Sequence, residues 1–197
     1  FAFAYNTLVG SWAGGKLMPY EWTDAPLDPN VVLPRLYAAT GSSIFQDHAF
    51  NADTHPGNVL SVGNNRIGLI DMGQLKRIDD GVVLLFAKLI VELAKDDGTP
   101  QADAKIADAW RACGFRTKHN NNEVTADVAR YFFDRHTPDV ADKYGGVALA
   151  LERMGEIDPF VHQPPEFVLL MRASFLMRLN AGVLGCSTGK YASAAKM

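Results

Sequence analysis

Apolar residues recur at helical spacing along most of this chain. Val82, Leu85, Phe86, Leu89, Ile90 and Leu93 follow the i, i+3, i+4, i+7 pattern of a helix. Val83, Leu84 and Val91 add apolar positions on its other side, which predicts burial over most of its surface. Lys88 and Glu92 stand at i,i+4 on the wet edge, and Asp97, Gly98 and Pro100 stop the helix. Residues 101–113 predict a second helix, with Ile106, Ala109, Trp110 and Cys113 on one face and Gly114 placed to end it. Val124, Val128, Tyr131 and Phe132 predict a third, closing near Asp134 and broken by residues 135–138. A short helix over 147–154 precedes Gly155, and a long apolar one over 167–179 is entered through Pro164, Pro165 and Glu166. Upstream, residues 31–49 predict a helix with Pro34 in its first turn, after an irregular proline-rich connection over 18–30. Arg172 and Arg178 interrupt the last helix, and each predicts a carboxylate partner, because an unpaired buried guanidinium costs several kcal/mol.

Residues 50–76, FNADTHPGNVLSVGNNRIGLIDMGQLK, break the helical period. Val59, Leu60 and Val62 form one short strand-like run and Ile67, Leu69 and Ile70 another, with Gly63, Asn64 and Asn65 between them tolerating positive φ. That pattern predicts a β-hairpin. A hairpin returns the chain beside its own start, so Asn58, before the first strand, and Asp71, after the second, are expected at the same end of the ladder. Asp53 stands five residues before Asn58. A carboxylate directly after a buried apolar run requires a cation or donors, and hard divalent cations take oxygen ligands. Asp53, Asn58 and Asp71 are therefore expected to gather around a metal-bound phosphate. The competing reading makes Asp71-Met72-Gly73 an Asx-turn and Pro56-Gly57 an ordinary loop.

The spacing of Asp53 and Asn58 resembles the D-x-x-x-x-N of a kinase catalytic loop, and Asp71-Met72-Gly73 resembles Asp-Phe-Gly. The whole segment resembles the UbiB-like (aarF-domain) atypical kinase family, whose members carry a loop like H-A-D-P-H-P-G-N, then a hairpin, then L-I-D-F-G-Q. Here the chain reads Asn51-Ala52-Asp53-Thr54-His55-Pro56-Gly57-Asn58 and Leu69-Ile70-Asp71-Met72-Gly73-Gln74. Leu169 to Ala173 and Arg178 resemble that family's last helix. The resemblance implies that Asp53 is catalytic, that Asn58 and Asp71 bind the cofactor as magnesium ligands, and that His55, Gly73 and Gln74 support them. ATP and Mg2+ are the implied cofactors. Asn51 for His, Thr54 for Pro and Met72 for Phe depart from the pattern without removing a ligand, although Met72 changes the residue whose packing helps set active and inactive states.

The implied fold is mainly α with a small β-hairpin, the large (C-terminal) lobe of a protein-kinase-like fold. Residues 1–197 are then a partial kinase-like domain, with the catalytic loop and metal-binding hairpin at 50–76 and a helical remainder at 80–190. The N-lobe is expected to be absent, since the chain carries no glycine-rich or alanine-rich nucleotide loop and no strand lysine suited to a helix glutamate. Weak Mg-ATP binding and negligible turnover are expected of these residues alone. The resemblance links the chain to ATP hydrolysis or phosphoryl transfer in ubiquinone or isoprenoid-lipid metabolism, in bacteria, mitochondria or plastids. Its implied partners are a nucleotide, an isoprenoid lipid or quinone precursor, and the missing N-terminal lobe, with any membrane association encoded elsewhere. Two alternatives stand beside it. Aminoglycoside and choline phosphotransferases carry loops like G-D-x-H-P-G-N, though Gln74 and the Arg172 helix favour the UbiB-like reading; a pseudokinase would bind nucleotide or lipid without catalysis.

Composition changes this picture little. With 48% hydrophobic and 21% charged residues, the 197-residue chain is ordinary globular material for one domain or a large piece of one. A net charge of -3 gives no electrostatic reason to expect nucleic acid. Cys113 and Cys186 make no disulfide framework, which favours a reducing compartment. The start at Phe1 suggests missing upstream residues, and 1–15 are too short for a membrane span and lack a signal-peptide pattern. Gly10 to Lys16 fits G-x-x-x-x-G-K, but Leu17 stands where a P-loop needs Ser or Thr, and Pro19, Pro26 and Pro29 leave no room for the following helix.

Overall fold

A computed structural model describes residues 28–134 and 138–183. The connection over 18–27, the P-loop-like stretch, His136 and Cys186 lie outside the described residues. Among the described residues six helices of eleven or more residues carry the fold, with three small antiparallel two-stranded sheets between them. Among the described residues no helix is long and apolar enough to cross a membrane.

The first helix, α1 (Pro29–Phe45), begins earlier than the hydrophobic pattern suggests. Asp28 caps it by accepting from Asn30 N at 2.9 Å, and Pro29 takes the first position, where its missing N–H is an orphan anyway. Pro34 consequently falls inside the helix rather than in its first turn. The helix also stops at Phe45 instead of continuing to residue 49, because the chain must turn: His48 takes a φ of 50° and leads into a short strand, β1 (Ala49–Asn51).

β1 pairs with β4 (Leu75–Arg77) in the register Ala49↔Arg77, Phe50↔Lys76, Asn51↔Leu75, a ladder the sequence pattern did not suggest. Enclosed between them are a 3-10 turn (Pro56–Asn58) and the expected hairpin, β2 (Val59–Ser61) and β3 (Ile67–Leu69), paired as Val59↔Leu69 and Ser61↔Ile67. Gly63, Asn64 and Asn65 turn it at φ values of 78°, 52° and 53°. A small apolar cluster hangs this hairpin on two helices: Val59, Ile67 and Leu69 pack against Leu33, Leu36 and Tyr37 of α1 and Met177 and Ala181 of the last helix.

The main core packs on the first half of that last helix, through Phe167, Leu170, Met171 and Ala173. α2 (Asp80–Ala94) buries Val83, Phe86, Leu89 and Leu93, while Leu84 and Val91 are exposed, so the helix is buried on one face rather than most of its surface. Glu92 pairs with Lys95, not Lys88. α3 (Pro100–Ala112), capped by Thr99, buries Trp110 against Phe115 with ring centroids 3.9 Å apart. Gly114 follows it with a φ of 100°. α4 (Asn122–Phe133) packs along α3, and Phe133 meets Phe86 edge-on at 5.0 Å. After α5 (Pro138–Ala141) and a 3-10 turn come α6 (Val147–Ile157), which runs through Gly155 rather than stopping before it, and α7 (Pro165–Val183), longer at both ends than its apolar run.

The third sheet pairs β5 (Arg116–Thr117) with β6 (Phe160–His162), and Asp158 ties its two ends together. The carboxylate accepts from His119 N at 2.7 Å, Asn121 N at 2.7 Å and Thr117 Oγ1 at 2.8 Å. Burial alone raises a carboxyl pKa, but these three donors outweigh it and hold Asp158 below the usual value. A depressed folded-state pKa contributes stability that is complete above the unfolded value of about 3.9 and is lost as pH falls through the folded one. Asp158→Asn should therefore lower stability at neutral pH and flatten the acid limb below about pH 4 in urea unfolding. Acid limbs of equal slope in variant and wild type would rule this out.

Candidate functional site

Two nested ladders build the site. The outer one is extended past Asn51 by a bond from Ala52 N to Gln74 O at 3.1 Å, and the inner one past β2 and β3 by a bond from Ile70 N to Asn58 O at 2.9 Å. Residues 52–58 and 70–74 are thereby drawn together, and they contain every position the sequence singled out.

Asp53 and Asn58 meet through the backbone. Asn58 is buried, and its Nδ2 donates to the carbonyl of Asp53 at 2.9 Å. The Asp53 carboxylate faces two other donors: Arg172 Nη2 reaches Oδ1 at 2.8 Å from α7, and Gln74 Nε2 reaches Oδ2 at 3.2 Å. Arg172 therefore has the carboxylate partner expected of it. Arg178 instead caps the end of α4, donating to the carbonyls of Tyr131 and Phe132 at 2.8 Å each. Burial pulls its pKa down to about 10, with Tyr37, Tyr131 and Asp134 opposing that shift.

Asp71 is held differently. Its φ of 60° places it in the left-handed region, which costs an ordinary L-residue about 1–2 kcal/mol and an aspartate less. Its Oδ1 accepts from Gly73 N at 3.0 Å, an Asx-turn, so that expected alternative is present in the geometry. A Cβ on Gly73 would lie 3.0 Å from the same oxygen, which leaves little room for another residue there. Burial does not force a cation onto Asp71, contrary to the expectation from the apolar run before it: Ile67 and Leu69 are half-buried, Ile70 is 42% exposed, and Asp71 is exposed. A hairpin lying on α1 and α7 by one face keeps its other face in solvent.

His55 shapes the loop, its Nδ1 accepting from Gly57 N at 3.1 Å to set the 3-10 turn that presents Asn58. Two anchoring residues carried no signal in the sequence pattern. Asn51 Oδ1 accepts from Asp53 N at 2.9 Å while its Nδ2 donates to Asp71 O at 2.9 Å. Asn180 of α7, also buried, donates to the carbonyl of Thr54 at 2.7 Å. Both lie at contacts between distant segments, invisible to local periodicity.

The donor chemistry suits a hard cation. With Asn58 Nδ2 committed to Asp53, its Oδ1 receives no donor from the described residues, and Oδ2 of Asp71 likewise receives none. One amide oxygen and one carboxylate oxygen match the sparse protein share of a magnesium site completed by water and substrate phosphates. Among the described residues no three His, Cys, Asp or Glu side chains gather as a self-sufficient metal site.

The profile of the ABC1 atypical kinase-like domain matches residues 6–103. The chain belongs to the ABC1 atypical kinase-like family. It is 27% identical over 97 residues to the uncharacterized protein slr0889 of Synechocystis sp. (strain ATCC 27184 / PCC 6803 / Kazusa), covering 46% of this chain and 24% of that one. To the uncharacterized protein slr1919 of the same organism it is 32% identical over 99 residues, 44% of this chain and 17% of that one. The chain thus spans less than a quarter of the length of these curated relatives. No solved structure matches it. The mostly helical architecture with small antiparallel sheets is that of the large lobe of a kinase-like fold. Residues 50–76 fall wholly inside the ABC1 match, whereas Arg172 and Asn180, which anchor the loop from α7, lie beyond it.

Proposed function

We propose that this ABC1-family chain supplies the magnesium-binding and catalytic edge of an ATP-dependent phosphotransferase or ATPase, Asn58 and Asp71 holding Mg2+ and Asp53 orienting the attacking group. The observation that carries the reading is the hydrogen-bond net running from Asp53 through Asn58 and Asn51 to Asp71, which fixes two candidate oxygen ligands and one acid against each other. Bound magnesium would neutralise charge developing on the transferred phosphoryl group. The protein's own contribution is positional. Arg172 and Gln74 hold the Asp53 carboxylate from two sides, Asn180 fixes the loop from behind, and Asp71 offers its outer oxygen toward solvent where a nucleotide phosphate can approach.

An isoprenoid lipid or quinone precursor is the proposed acceptor class. It is supported by an apolar cavity of about 350 Å3 between α1, α2 and α7, lined among others by Tyr37, Ile44, Phe86, Phe133, Leu170 and Met177. One observation favours a second reading, nucleotide binding without turnover: both oxygens of Asp53 already carry donors.

Thermal shift of the protein in its natural full-length form tests the metal assignment. ATP should stabilise it only with Mg2+ present, and Asp71→Asn or Asn58→Ala should remove most of that increment while ATP alone changes nothing. An undiminished Mg-dependent increment in both variants would refute the assignment.

A further inference from the structure

Asn51 touches both halves of the site at once. It is the last residue of β1, so its backbone is set by pairing with Leu75, and it is 9% exposed, which leaves water a poor substitute for either of its bonds. At the far end of one bond lies Asp71, whose φ of 60° is a conformation that persists only where the surroundings over-determine it. Two contacts do so: Asn51 Nδ2 on its carbonyl and Gly73 N on its carboxylate.

We propose that Asn51 is a positioning residue that holds Asp71 in its left-handed conformation and ties that backbone to Asp53, so that the two acids keep a fixed spacing. The chemistry accounts for a side chain that both accepts and donates. An oxygen on Cγ reaches the N–H two residues on, as in any Asx-turn, and the amide nitrogen on the same carbon supplies a donor in the opposite direction. Aspartate has the oxygen but no donor. Neutral histidine can also combine the two, accepting through Nδ1 from the N–H two residues on, as His55 does from Gly57 N, and offering its other ring N–H to Asp71, whereas leucine has nearly the same shape with neither group. The consequence for cation binding rests on the proposed function; the conformational consequence does not.

Solution NMR of the metal-free protein reads the second directly. In Asn51→Leu the coupling between the Asp71 amide and Cα protons should leave the value for a left-handed residue, and the Asp53 amide should exchange faster. In Asn51→His the Asp71 coupling should be retained. Mn2+ titration followed by electron paramagnetic resonance should then show affinity lowered about tenfold in Asn51→Leu, the low end of what removal of an outer-sphere partner does, and near wild type in Asn51→His. An unchanged Asp71 coupling in Asn51→Leu overturns the proposal. So does Asn51→His losing the left-handed coupling as completely as Asn51→Leu, which would make the position one of packing alone. If wild type binds no Mn2+, the proposed function fails while the couplings still decide the role of Asn51.

Discussion

Arg130→Met will destabilise the fold by about 3–5 kcal/mol, because it strips the central guanidinium from a largely buried carboxylate cluster. Arg130, 4% exposed on α4, grips Asp96 with two bonds of 2.8 Å, Asp103 at 2.7 Å and Asp127 at 2.9 Å. Burial opposes the charge on this guanidinium, but its three acidic partners outweigh that and hold it firmly protonated. Lys143 at 3.0 Å and the Tyr144 hydroxyl at 2.9 Å also converge on Asp127, so the cluster ties α3, α4, the loop after α2 and the turn after α5 to one point. Without Arg130, the carboxylates of Asp96 and Asp127, each 1% exposed in the side chain, lose their guanidinium partner, and Lys143 and Tyr144 compensate at Asp127 only in part. Arg130→Lys should fall between, since one ammonium cannot reproduce a two-pronged grip on Asp96. Guanidinium chloride unfolding measures the loss, and a change below about 1 kcal/mol for Arg130→Met would show that the cluster contributes little to stability.

Asp53→Ala is expected to cut ATP turnover by roughly 10²- to 10⁴-fold while leaving the magnesium-dependent ATP stabilisation in place. The separation follows from which atoms are used. Asn58 is held by the Asp53 carbonyl, which alanine keeps, whereas Arg172 and Gln74 are held by the carboxylate, which alanine lacks. Arg172 is half-exposed, so its loss of a partner costs little stability. Initial rates of ATP hydrolysis by the natural full-length protein, beside thermal shifts of the same samples, resolve the two effects. Equal rates in wild type and variant would assign Asp53 to binding or structure and leave the non-catalytic reading in force.

What the sequence made legible is what local chemistry decides. The helical periods of α2, α3, α4 and α7 are short-range facts, as are the positive-φ residues turning the hairpin and the glycine closing α3. Boundaries went astray where a cap competed with the hydrophobic period: Asp28 and Pro29 start α1 ahead of its first apolar residue, and Gly155 does not end α6 because the burial of Ala150 and Met154 carries the helix past it. The β1–β4 ladder was not legible, since three residues on each side, half of them polar, have no alternation to read. Nor was the Arg130 cluster, whose acids come from three segments and share only the i,i+3 pair Asp127–Arg130 as a local sign. At the candidate site, motif spacing pointed to Asp53, Asn58 and Asp71, and hairpin geometry to Asn58 and Asp71 sharing an end. Asp71 is exposed despite the apolar run before it, because the hairpin rests on the helices by one face only. Asn51 was visible only as a departure from a family pattern, and its two bonds appear once β1 is seen to lie beside residues 71–75.

Paramagnetic broadening tests the central claim most directly. Substoichiometric Mn2+ added with ATP to the isotopically labelled protein should first erase amide signals at Asn58, Asp71 and Gly73, with the effect lost in Asp71→Asn. Broadening that instead begins around Asp103, Glu123 and Asp127, or that survives Asp71→Asn unchanged, would place the cation elsewhere and remove the basis for assigning ATP chemistry to this loop.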